Sequence, residues 1–196
     1  MTRKRQIFAS IVVVGVAALL VGSATFAAFS STTTNGGNDY DAGTVHITDN
    51  DAGGAMLTLT DASGGSSAAG CILVTYQGSL PANVRLYGST TGDIAPYLTL
   101  TVTRGTDGSP AFPTCGGSFT PDGTDYIGQG NGVIYQGTLS AYPGTYAAGV
   151  VDAPGSLESW TTSEAHAYKF TVSMSNDPAG QGKSGTATFQ WEARNS

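Results

Sequence analysis

The sequence predicts an all-β protein, a jelly-roll-like two-sheet sandwich of about eight antiparallel strands preceded by a signal peptide. Two observations lead to this fold class. After residue 30 the chain consists of short segments in which apolar and polar residues alternate, which is the period of a strand with one buried face. The connectors between these segments are rich in Gly, Pro, Asp and Asn, the residues that supply tight turns.

The first four predicted strands span 42–48, 55–60, 71–77 and 83–88. In three of them the apolar residues occupy every second position, so that one face packs on a core and the other meets water. The segment 71–77, CILVTYQ, is apolar on both faces, which predicts a strand in the middle of a sheet.

The last four predicted strands span 97–103, 132–139, 166–174 and 185–193. In 97–103, YLTLTVT, the aliphatic residues point inward and the threonines outward. Alternation is weaker in 132–139. The two C-terminal segments are the clearest, because the aromatic residues of each fall on one side of the strand.

Residues 1–27 predict a secretory signal peptide. Three basic residues stand at positions 3–5, and no charged side chain follows between Ile7 and Ala24. Small residues close the run, and a cut after Ala27 would make Ala28 the new N-terminus. A cut after Ala24 is the rival, and the apolar run is also long enough to remain as a membrane anchor.

Cleavage after Ala27 leaves an acidic mature chain. It removes three of the eight basic residues and none of the fourteen acidic ones, so the formal charge falls from −6 to −9. The remaining basic residues are scattered, which excludes a nucleic-acid partner because phosphate binding needs clustered Lys and Arg. Residues 41–196 are enough for one domain with a sizeable core, and we expect them to form the sandwich.

The two cysteines, Cys71 and Cys115, predict a disulfide, because export to an oxidising space favours their pairing. The bridge would close a loop of about 45 residues and stabilise the fold by about 4 kcal/mol. The alternative is a pair of buried free thiols.

No motif in the sequence predicts a catalytic site. The only histidines, His46 and His166, lack the H-E-x-x-H spacing of a hydrolytic zinc site, although two strands could still bring them together. The nucleophile elbow G-x-S-x-G and the dinucleotide fingerprint G-x-G-x-x-G are both missing from the sequence. We therefore predict no catalytic residue and no cofactor, and leave metal binding open.

Two Asp-rich stretches faintly resemble calcium loops. The first, 48–54, contains Asp49 and Asp51, and the second, 120–126, contains Asp122 and Asp125. A calcium loop needs six or more oxygen ligands closed by a bidentate acid, which the first stretch lacks. Ordinary Asx turns explain both stretches better.

Several short stretches, in their order and spacing, resemble the TasA/camelysin family of Gram-positive bacteria across nearly the whole chain, and the composition is similar to an actinobacterial branch. The stretches that carry this resemblance are the aromatic-Ala-Ala-Phe region at 26–29, Ala-Gly-Thr at 42–44, Gly-Ser-Leu-Pro-Ala at 78–82, and Gln-Gly-Lys-Ser leading to the Phe-x-Trp-Glu-Ala of 189–193.

The resemblance implies export, cleavage by a SipW-type signal peptidase and a jelly-roll sandwich. It also implies polymerisation into extracellular fibres of the biofilm matrix or cell surface, in contact with other matrix proteins or the cell wall. Some relatives are camelysin-type metallopeptidases, but no ligand of such a site matches a position in this chain.

The segment 28–40 suggests how fibres could form. It is rich in Ser and Thr, with Phe29 as its one large aliphatic or aromatic side chain before Tyr40. Once cleavage frees Ala28, the segment could add as a strand to the sheet edge of a second copy. The alternatives are a disordered tether, a metallopeptidase, or a monomeric adhesin that binds sugar through some of its nine tyrosines.

Overall fold

Two antiparallel sheets form the protein in the computed structural model, which describes residues 43–155 and 159–195. The predicted signal peptide (1–27), its cleavage residues Ala27 and Ala28, and the segment 28–40 with Phe29 lie outside the described residues. The fold class predicted from the sequence, an all-β two-sheet sandwich, is confirmed.

Seven of the eight predicted segments contain a strand, and three short strands join them to give ten in the described residues. The strands are β1 (Ile47–Asp49), β2 (Ser67–Tyr76), β3 (Ala82–Gly92), β4 (Leu98–Asp107), β5 (Phe119–Pro121), β6 (Val133–Thr138), β7 (Val150–Val151), β8 (Ser159–Trp160), β9 (Ala165–Met174) and β10 (Gly185–Asn195).

The first sheet has the order β1-β2-β9-β4, and β4 pairs with both β5 and β6 on its far side. In the second sheet β3 pairs with β10 on one side and with β7 and β8 on the other. Between the strands lie short 3-10 turns at Ala95–Tyr97, Leu139–Ala141 and Pro178–Gly180. Within the described ranges, no helix has the length and apolar character needed to cross a membrane.

The core lies between the sheets and follows the predicted alternation. On β9, Tyr168 and Phe170 are fully buried, and Phe170 lies opposite Val102 of β4 and Gly70 of β2. Each large apolar side chain buried in this way stabilises the fold by about 1.5–3 kcal/mol. The side chains buried most completely are Trp160, Tyr76, Tyr168, Phe170, Leu86, Leu100, Val74, Val84, Val102 and Asp152.

The predicted disulfide is present, with Cys71 and Cys115 joined and a Cα–Cα distance of 4.9 Å. The alternative of two free thiols is therefore wrong. Beside the bridge, the Cys71 backbone N–H donates a 2.9 Å hydrogen bond to the carbonyl oxygen of Pro113. The bridge and this bond together fix the connector between β4 and β5 against β2.

Two predicted strands differ from the structure. In 42–48 the strand begins only at Ile47, and 55–60 forms no strand. The backbone of the second segment passes so close to β2 that any side chain at Gly70 would collide with the carbonyl oxygen of Met56. Two paired strands lie about 4.8 Å apart, and the backbone at Met56 is too close to Gly70 for the two segments to form a regular ladder of hydrogen bonds.

Candidate functional site

β10 is the longest edge strand of the sandwich in the described residues. Its eleven residues pair with β3 along their whole length, and no described strand pairs with its other side. Most other edges are much shorter, since β7 and β8 have two residues each and β1 has three. An edge strand presents a row of unpaired N–H and C=O groups, so β10 offers a long surface for strand pairing.

The opposite sheet edge, that of β2, is covered by its own chain. β1 pairs with residues 74–76, and the side chain of Asn50 accepts a 2.9 Å hydrogen bond from the backbone N–H of Leu73. Further along, Pro113 accepts from the N–H of Cys71. Strand, side chain and connector thus occupy the β2 edge, whereas β10 carries no comparable cover in the described residues.

An apolar groove opens beside β10. It has a volume of about 480 Å³ and runs between residues 185–191 on the second sheet and residues 54–59, which lie next to β2. Leu98 and Val172 form part of its floor, with Ile72 beside them. Grooves of this volume hold several apolar side chains of a ligand.

The exposure of the inward-facing residues of β10 shows that this part of the core lacks a cover. Ala187, Phe189 and Trp191 share the inner face, yet Ala187 is exposed and the two aromatic residues are only half-buried. Phe170 of the facing sheet, whose ring centroid lies 4.6 Å from that of Phe189, is fully buried. The sandwich is therefore closed over β9 and open over β10.

A second, more polar opening of about 370 Å³ continues along the same edge. Thr48 and Asp49 of β1 lie on one side, and Trp191 and Glu192 of β10 on the other. The Trp191 Nε1 donor is buried without a hydrogen-bond partner among the described residues. Partial burial raises the pKa of the Asp49 carboxyl, which disfavours its charged form at this opening. The two openings together follow β10 from Gly185 to Glu192.

A buried polar cluster lies elsewhere, at the end of β4. The Arg104 Nε is 3.0 Å from Asp152 Oδ1, and its Nη1 is 2.6 Å from Asp122 Oδ2. Asp152 also accepts 2.7 Å hydrogen bonds from Trp160 Nε1 and the Tyr168 hydroxyl. Burial alone would lower the pKa of Arg104, but Asp152 and Asp122 outweigh it and raise that pKa. The cluster connects β4, β8 and β9, which is a structural role.

The two histidines do not form a shared metal site. His166 lies opposite Val74 of β2, and Val74 lies opposite Asp49 of β1. His46 precedes Ile47, so two strand spacings, about 10 Å, and three further residues separate it from His166. The described residues hold no group of three or more His, Cys, Asp or Glu side chains close enough to bind a metal ion.

The first Asp-rich stretch forms Asx turns, as the sequence favoured, whereas Asp122 of the second pairs with Arg104. Asp49 Oδ1 accepts the backbone N–H of Asp51, and Asp51 Oδ1 accepts that of Gly53. In the second stretch Asp122 binds Arg104, and Asp125 accepts the N–H of Gln129.

The described tyrosines form no common platform. Tyr76 and Tyr168 are fully buried and Tyr142 nearly so, and burial raises the pKa of Tyr142 well above its ordinary value. On the surface of the second sheet, Tyr146 lies between two arginines, with Arg194 3.9 Å and Arg85 5.3 Å from its ring centroid. Core packing and cation–π contacts thus account for these four tyrosines.

Comparison of the sequence with protein-family models and with curated proteins gives no match. The groove beside β10 is therefore the feature from which a function must be argued. Sequence reasoning identified β10 as a strand but missed its free edge. One signal was present, since the first half of β10, GTAT, has no large side chain with which to close a core.

Proposed function

We propose that the protein is a secreted structural subunit of extracellular fibres at the cell surface or in a biofilm matrix. Signal peptidase frees the segment 28–40 by cutting between Ala27 and Ala28, and this segment adds as a strand to β10 of the next copy. The observation that carries the proposal is the long free edge of β10 above an open apolar groove.

The dimensions of donor and acceptor agree. Eleven residues of β10 extend for about 37 Å, and the thirteen residues 28–40 reach about 43 Å when extended. Main-chain hydrogen bonds to β10 supply affinity whatever the donor sequence, and side chains that enter the groove supply register. Phe29 is the large apolar side chain that such a groove would bury, for about 1.5–3 kcal/mol.

Strand addition of this kind is head-to-tail. The donor segment of one copy and the acceptor edge of another are different surfaces, so addition does not close on a pair and continues as a filament. The resemblance to the TasA/camelysin family supports the same conclusion, together with cleavage by a SipW-type peptidase and a location outside the cell. Partners in this proposal are other copies of the chain, with matrix proteins or the cell wall as further contacts.

The proposal is tested with the protein produced from residue 28 onward, by electron microscopy and size-exclusion chromatography. Deletion of 28–38 should leave a folded monomer, because residues 47–195 contain all the paired strands that enclose the described core. Ala187→Lys should also abolish filaments, since it places a charged side chain in the groove. Ser89→Lys is the matched control, an exposed residue on the outer face of the neighbouring strand β3 that lines neither opening, and should assemble normally.

Filaments of undiminished length from the deletion variant would refute strand addition. Normal assembly of the Ala187→Lys variant, equal to that of Ser89→Lys, would show that the groove is not the acceptor. Casein digestion with and without a chelator, on the same preparations, tests the metallopeptidase alternative.

A further inference from the structure

Residues 55–60, AMLTLT, have the side-chain pattern of a strand without being one. Leu57 and Leu59 are half-buried against the core, and Thr58 and Thr60 between and after them are exposed. The chain bends at Met56, and the alternation from Leu57 to Thr60 that follows is the side-chain pattern of a sheet edge. No described strand pairs with this segment.

The backbone of this segment is not paired with the backbone of any other described residue. No backbone–backbone hydrogen bond among the described residues involves any residue from 55 to 60. Backbone N–H and C=O groups are obligatory hydrogen-bonding groups, and in an extended segment they point alternately to its two sides. On the side that faces the groove, every second residue therefore presents a donor and an acceptor that an approaching chain can bind.

The segment and β10 flank the same opening. Residues 54–59 and 185–191 both line the 480 Å³ groove, the first next to β2 and the second on the opposite sheet. The close approach of Met56 to Gly70 fixes the first wall on the β2 side. A chain that lies in the groove and pairs with β10 would meet a second backbone on its other side.

We propose that residues 55–60 are a second pairing edge, so that the segment 28–40 of another copy is held between β10 and 55–60 and converts 55–60 into a strand. This inference rests on the proposed function. After the proposed cleavage, residues 28–42 precede the described chain, which supplies a donor in every copy. Because a central strand uses all its backbone groups and an edge strand only half, the second wall would bind the donor more tightly and fix its register.

The test uses synthetic peptides with the sequence 28–40 and alternate N-methylation. N-methylation removes a donor, and in an extended strand odd and even residues direct their N–H groups to opposite sides. One peptide is unmodified, one is methylated at Phe29, Ser31 and Thr33, and one at Ser30, Thr32 and Thr34. The acceptor is the chain from residue 28 with Phe29→Asp to disable its own donor segment, and affinity is measured by fluorescence polarisation of labelled peptide.

Two-sided pairing predicts that each methylated peptide binds at least about tenfold more weakly than the unmodified one. Loss for only one of them would overturn the second edge and leave strand addition to β10 intact. Failure of the unmodified peptide to bind would overturn both proposals. Hydrogen exchange gives an independent readout, because every second amide of 56–60 should exchange at least about tenfold more slowly with the unmodified peptide bound. Unchanged exchange there would also count against the second edge.

Discussion

Replacement of Arg104 by methionine should destabilise the fold strongly, because it leaves a buried carboxylate without its cation. Arg104 is 4% exposed and Asp152 1% exposed, so water cannot reach either group in compensation. Methionine keeps much of the side-chain volume but loses the 3.0 Å contact to Asp152 and the 2.6 Å contact to Asp122. The neutral donors Trp160 and Tyr168 remain, but they do not neutralise the charge.

Breaking a buried ion pair from one side costs about 3–5 kcal/mol. For a domain of this size that loss corresponds to a fall of roughly 6–20 °C in Tm. The double variant Arg104→Met/Asp152→Asn should be more stable than Arg104→Met alone, because it removes the uncompensated charge as well as its partner. Urea denaturation followed by tryptophan fluorescence measures the free energies of unfolding of the natural chain, the Arg104→Met variant and the double variant.

Lys183→Met is the control for loss of an ion pair at the surface. Lys183 Nζ lies 2.7 Å from Asp93 Oδ2, but both side chains are largely in water, so we expect no measurable change in stability. The reasoning about burial would be refuted if Arg104→Met were no more damaging than this control. A double variant less stable than Arg104→Met would contradict it equally.

Three further predictions concern cross-linking, pH and salt. The variant Cys71→Ser/Cys115→Ser should unfold about 4 kcal/mol more easily in urea, since the bridge spans a sequence separation of 44 residues. Burial alone would raise the pKa of Glu164, but hydrogen bonds from His166 and Thr161 outweigh it and lower that pKa. The contribution of Glu164 to the free energy of unfolding should be complete above about pH 4.5 and fall at lower pH. Glu164→Gln should therefore flatten the plot of stability against pH in this range. Because Glu164 is partly exposed, the variant and the natural chain should differ by less than about 1 kcal/mol. Filament growth measured by light scattering should accelerate from about 0.02 M to about 0.5 M NaCl, because salt screens repulsion between acidic copies; slower growth would indicate attraction between opposite charges.

The long strands could be predicted from the sequence because each has one face in the core. In β4 and β9 the burial of side chains alternates strongly enough to show in the order of residue types, and in β10 the alternation shows in the residue types alone. Arg104 was missed, although the same alternation predicts it: Leu98, Leu100 and Val102 face inward, and position 104 follows in the series. A charged residue on an inward position is a signal for a buried ion pair.

The errors have physical causes. Strands of two or three residues, such as β5, β7 and β8, are too short to establish a period. The segment 55–60 has the period but no pairing partner, because alternation reports which side chains are buried and carries no information about backbone pairing. The free edge of β10 depends on which strands become neighbours, and that order follows from contacts between residues far apart in the chain.

An open edge is costly for a protein unless it has a partner. A long strand with unpaired backbone above an exposed apolar groove invites uncontrolled association, and proteins usually shorten or cover such edges. This chain covers the β2 edge with a strand, the Asn50 side chain and a disulfide-bonded connector, yet leaves β10 uncovered in the described residues. We infer from this difference between the β2 edge and the β10 edge that β10 is reserved for a specific donor strand. The backbone of 55–60 would then explain how that donor is distinguished from any passing strand, since only a chain that fits between two walls can satisfy both.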